Sequence, residues 1–168
     1  NLKRNIWNNF SNVYIYMNPK SFLQCIQSLS FQYQKLHKED AKGQALLHTY
    51  YVYHCVKKMY PRVDIRVSPS ICISTFSREI YPQSLVLWLN GEEFFDVNYE
   101  TWRLYNKHYY ECLSEIPKEF KLPSNMKKLF YEYVDLANKI NSGNVLGEDE
   151  YYIKLATFCS KTWESLNG

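Results

Sequence analysis

Leu85-Val86-Leu87-Trp88-Leu89 runs straight into Asn90-Gly91, and Phe94-Phe95 follows three residues later. No other stretch limits the fold as much. Asn-Gly accepts the two positive φ angles of a type I′ turn, whose twist suits antiparallel strands, so a β-hairpin is expected here. Five apolar residues in a row predict a strand covered on both faces. Upstream, Val63, Ile65 and Val67 alternate, as do Ile71 and Ile73, with Ser68-Pro69 between them. That pattern predicts short strands, and a β element over about 62–97. Glu92 and Glu93 are expected to keep an exposed strand edge from pairing with another chain.

A sheet of two to four strands cannot stand alone in water and must be covered by something else. The rest of the chain supplies helices. Ile6, Trp7, Phe10, Val13, Tyr14 and Met17 recur at helical spacing, which predicts a helix over about 5–17. Asn18-Pro19 offers a cap and a first-turn proline for a second, over 19–37, with Phe22, Leu23, Ile26, Leu29, Tyr33 and Leu36 on one face. A third is expected over 43–60, with Pro61 ending it. Beyond the β element, Trp102, Tyr105, Tyr109, Cys112, Leu113 and Ile116 predict a helix over 99–116. Two more follow, over 124–141 (Met126, Leu129, Phe130, Tyr133, Ala137 and Ile140 inward) and 148–166. The expected class is α+β, mainly α: about six helices in one domain over 1–168, with an inserted hairpin or small antiparallel sheet.

Bulk composition excludes several alternatives. With 168 residues, 46% hydrophobic and 22% charged, the chain is neither disordered nor too small to bury a core. No apolar run approaches the roughly 18 residues that span a bilayer, and no membrane is expected as a partner. The first residue is Asn1 rather than Met, which suggests a fragment of a larger protein. Cys25, Cys55, Cys72, Cys112 and Cys159 are odd in number and form no C-x-x-C, so reduced, mostly buried thiols in an intracellular (cytoplasmic or nuclear) protein are expected. His37, His48, His54 and His108 include no pair at i+3 or i+4, so no metal site is expected, and no cofactor either. Glycine-rich phosphate loops, H-E-x-x-H and G-x-S-x-G are all absent from the sequence.

Three functional patterns remain. Aromatic residues reach 17%, with 16 tyrosines, which suits cores with polar edges and also binding surfaces. Trp7, Tyr14, Tyr16, Trp88, Phe95 and Tyr99 are the candidates for an exposed interface with another protein chain. The net charge of +3 is uneven: residues 1–66 hold ten Lys or Arg against three acids. Lys57, Lys58, Arg62 and Arg66 could contact RNA or DNA phosphates, with Tyr51, Tyr53 or Tyr60 stacking on bases. The same cations also favour a helix C-terminus.

The third pattern is Arg103-Leu104-Tyr105-Asn106-Lys107-His108, an R-x4-H string on an expected helix. It resembles the signature of the HEPN superfamily, small helical bundles that include many RNases. The resemblance implies that Arg103 would hold a phosphodiester and His108 move a proton, the two converging across a pair of protomers. It spans six residues, Leu104 stands where that family has a polar residue, and a β-hairpin is foreign to a simple HEPN bundle. It supports no family assignment. The leading expectation is a non-enzymatic protein-interaction domain within a larger assembly, with nucleic-acid binding and a HEPN-like RNase as alternatives.

Overall fold

The structure, a computed structural model, describes residues 17–74, 80–98, 107–111, 121–143 and 149–167. Its class is α+β with helix dominating. Five helices and a four-stranded antiparallel sheet lie among the described residues.

Asn18 opens α1 (Pro19–Leu36): its Oδ1 accepts from the Ser21 amide at 2.8 Å, and Pro19 sits in the first turn, where its missing N–H matters least. A short α2 (Lys38–Ala41) leads to α3 (Ala45–Met59). Strands β1 (Ile65–Ser74), β2 (Ile80–Leu89), β3 (Glu93–Phe95) and β4 (Lys107–Glu111) follow, then α4 (Ser124–Asn141) and α5 (Glu150–Asn167). Apart from Met17, the helix expected over 5–17 lies outside the described residues.

Two expectations need correcting. Lys107–Glu111 is strand, where helical spacing placed it inside a helix over 99–116. β4 pairs with Ser70–Ser74 of β1, and that distant partner decides its conformation over the local period. The remainder of 99–116 lies outside the described residues. The short strands expected on either side of Ser68-Pro69 are one strand, β1. Its register against β2 shifts between Ser68 and Ser70, so the bulge falls at Pro69, which has no N–H to give a ladder.

Sheet order is β3-β2-β1-β4. Asn90 and Gly91 both have positive φ, 55° and 70°, and the Glu92 amide donates to the Leu89 carbonyl, closing the expected turn between β2 and β3. Leu85–Leu89 is buried throughout. Alternation sends Leu85, Leu87 and Leu89, with Ile65, Val67 and Phe95, into one cluster with Phe22, Leu23 and Ile26 of α1, Tyr51 and Val52 of α3, and Leu155 and Cys159 of α5. Val86 and Trp88 are buried outside that cluster, so the sheet's second face is covered as well. α4 packs against both β1 and β2. No helix among the described residues is long and apolar enough to cross a membrane.

Polar side chains fix how the layers meet. Along α1, Lys20, Gln27 and Gln34 stand seven residues apart and so share a face. Lys20 pairs with Glu93 at 2.6 Å, Gln27 donates to the Asp96 carbonyl at 2.8 Å, and Gln34 donates to the Asn98 side chain at 2.9 Å. At the end of α4, the Asn141 amide grips the backbone of Val67 twice. It accepts from the Val67 N–H at 2.9 Å and donates to the Val67 carbonyl at 2.8 Å, as a neighbouring strand would.

Burial ranks these contacts. Gln27→Ala removes a buried donor and should cost about 1–3 kcal/mol in urea unfolding. Lys20→Ala breaks an ion pair whose two side chains are about half exposed, and should cost under about 1 kcal/mol. Equal losses from the two variants would contradict this ranking.

Candidate functional site

The structure separates the residues that the sequence grouped. Trp88 is 7% exposed and Phe95 8%, so neither belongs to an open interface. Both lie in paired strands, Trp88 beside Phe94 and Phe95 beside Leu87, with packing above and below. Trp7, Tyr14, Tyr16 and Tyr99 lie outside the described residues. Of the proposed stacking tyrosines, Tyr51 and Tyr53 are buried, and Tyr60 donates its hydroxyl to the Met17 carbonyl at 2.6 Å.

The basic group divides in the same way. Lys57 is half-buried and donates to the Val63 carbonyl at 3.2 Å, tying the end of α3 to the loop beyond it. Arg66 is half-buried on β1, in register with Trp88. Lys58 and Arg62 alone of the four are exposed. His108 lies on β4, opposite Ile73, and Arg103 lies outside the described residues. The R-x4-H string therefore ends on a strand, where a helix was expected.

One polar constellation escaped the sequence reading. His48 of α3 is 0% exposed. Its Nδ1 shares a 2.5 Å hydrogen bond with Ser30 Oγ of α1, and its Nε2 shares a shorter one with the Tyr151 hydroxyl of α5. Tyr33 closes the site with edge contacts to Tyr151 and Phe158. Helical spacing carried the clue, since His48, Tyr51, Val52 and Cys55 fall at i, i+3, i+4 and i+7 on the buried face. The partners, 18 and 103 residues away, gave no local signal.

A serine hydroxyl against an imidazole is the pairing of a nucleophile and its base. Here the pairing has no access to substrate, since Ser30 is as fully buried as His48. Burial holds the His48 pKa down to about 4, and it pushes the Tyr151 phenol well up, so both stay neutral. The hydroxyls satisfy both ring nitrogens, and the unit works as an uncharged knot between three helices.

Cys25, Cys55 and Cys159 offer no nucleophile. Cys55 and Cys159 are free and buried, and Cys25 is half-buried. Burial raises all three thiols, Cys159 to about 12, although the Tyr51 hydroxyl partly offsets this for Cys55 and Cys159. No group of three or more His, Cys, Asp or Glu among the described residues could hold a metal ion.

Among the described residues the large apolar side chains left exposed are Leu36, Leu129, Tyr131 and Ile153, and two of these belong to α4. Leu129, expected inward, is 38% exposed, and Tyr131 is 50% exposed. Two residues apart on a helix they point about 200° away from each other, so the exposed face of α4 has an apolar group on each flank. Lys128, Glu132, Asp135 and Lys139 line its crest, the last two paired at 2.9 Å. Comparison with family models, with curated proteins and with solved structures finds no match to this chain.

The knot gives a direct stability test. Tyr151→Phe leaves a ring nitrogen of His48 unpaired in a dry site, and should lower the unfolding free energy by about 1–3 kcal/mol. The urea midpoint should fall with no change in m-value. A midpoint equal to that of the unaltered protein would contradict the assigned bond.

Proposed function

We propose that this chain is a non-enzymatic interaction domain, working inside the cell within a larger assembly, and that it docks another protein chain along α4. One observation carries the reading: α4 turns Phe130, Ala137 and Ile140 inward and leaves Leu129 and Tyr131 in solvent on opposite flanks. A helix face with apolar flanks and a charged crest suits a groove in a partner, the flanks supplying area and the crest supplying register. The free, buried thiols fit a reducing compartment. The sealed Ser30–His48–Tyr151 unit favours a binding role over hydrolysis.

Nucleic-acid binding is the second reading. The exposure of Lys58 and Arg62 favours it. Two phosphate contacts would give an affinity falling with salt at a log–log slope of about −2.

Capture from the source extract with the tagged chain, with and without nuclease, tests both. Leu129→Glu combined with Tyr131→Ala alters only exposed positions, so folding should be unchanged by circular dichroism. The proposal expects a partner protein retained through nuclease treatment and lost with the double variant. Loss on nuclease treatment, or on Lys58→Glu with Arg62→Glu but not on the α4 change, would reject it in favour of nucleic acid.

A further inference from the structure

We propose that His48 is an acid-operated latch: while neutral, its bonds to Ser30 of α1 and Tyr151 of α5 keep the first turns of α5 docked, and its protonation releases them. The basis is the make-up of the site. A neutral imidazole has one donor and one acceptor, and two hydroxyl partners satisfy either tautomer. A protonated imidazole donates from both nitrogens, and the same hydroxyls can still accept. The added charge is what the site cannot accommodate, since no carboxylate bonds His48 among the described residues.

Among the described residues, the groups around the ring supply little counter-charge. From α1 come Ser30 and Tyr33, and the exposed His37 ring just beyond α1 lies tilted against Tyr33. From α5 come Tyr151 and, two turns further along, Cys159. α2 contributes Asp40, an exposed carboxylate whose field reaches Tyr33 and Tyr151. Among the described side chains of β1 and β2, those that enter the shared cluster are Ile65, Val67, Leu85, Leu87 and Leu89, all uncharged. On α3 itself, Tyr51 and Cys55 are uncharged and buried.

The start of α5 is the element placed to yield. Asp149 caps it, its Oδ1 accepting from the Tyr151 amide at 2.8 Å, while Glu150, Ile153 and Lys154 face solvent. Its hold on the bundle comes from Tyr151, Tyr152 and Leu155. When those turns open, His48 meets water.

The sign of the effect follows from linkage. Docked, His48 is held at about 4, whereas an open histidine titrates near 6.5. Between those values the open form takes up a proton that the docked form refuses, so opening is favoured as pH falls through that window and is insensitive above it. From pH 7 to pH 5 the opening constant should rise about 20-fold.

Hydrogen–deuterium exchange at pH 7 and pH 5, corrected for intrinsic rates, reads this directly. Residues 150–155 should lose about 20-fold in protection while 85–89 of β2 keep theirs. His48→Gln should abolish the pH dependence, and Asp149→Asn, which keeps a capping oxygen at the same turn, should retain it. Retention of the effect in His48→Gln, or equal loss in β2 and α5, overturns the latch. Should His48→Gln not fold, an NMR titration of the His48 ring in the unaltered chain decides: a ring titrating near 6.5 while the α5 amides stay unmoved also overturns it.

Discussion

A helix rises 1.5 Å per residue and a strand about 3.3 Å, so seven residues of one span about the same distance as three of the other. The join between helices and sheet rests on that match. Lys20 and Gln27 are seven apart on α1, and their partners Glu93 and Asp96 are three apart at the end of the hairpin. Gln34 continues the row to Asn98. While this face of α1 holds the hairpin in register, Phe22, Leu23 and Ile26 pack into the same cluster as α3 and α5. α1 therefore fixes where the sheet lies against the bundle. Without the row, burial alone would hold the layers together but would not set their alignment, because hydrophobic attraction is non-directional.

Two further polar devices complete the arrangement. The sealed Ser30–His48–Tyr151 unit ties a helix that precedes the sheet in sequence to one that follows it. Asn141 occupies Val67 of β1 on the stretch before β4 begins to pair, which blunts an edge that could otherwise recruit another strand. Each device is short of charge and rich in directional bonds. Such groups add little net energy when satisfied and exact a heavy penalty when not, so they select one packing over its near neighbours.

Much of this was legible in the sequence, for local reasons. The Asn18-Pro19 start, the Asn90-Gly91 turn and the Phe22, Leu23 and Ile26 stripe of α1 each depend on residues within a turn or two of one another. What the sequence hid depends on distant partners. Tyr105, Tyr109 and Cys112 have helical spacing, yet Tyr109 and Tyr110 are strand because β1 offers a ladder some forty residues upstream. Trp88 read both as part of a strand covered on two faces and as an exposed anchor. These expectations conflict, and burial resolves them for the first. His48 shared the spacing of its apolar neighbours, but nothing local marked Ser30 or Tyr151 as its partners. Lys57 and Arg66 of the basic group have half-buried positions in the fold, a fact that charge counting cannot see.

The central claim is that helices from both sides of the β element and the hairpin itself share one interior and so unfold together. Native-state hydrogen exchange at pH 7 across low denaturant tests it most directly, read at Val52 of α3, Leu87 of β2 and Cys159 of α5, all fully buried in the shared cluster. The account predicts a single opening free energy and a single denaturant slope for all three amides. A distinctly lower free energy and shallower slope at Leu87 would mean that the sheet opens on its own, and would contradict it.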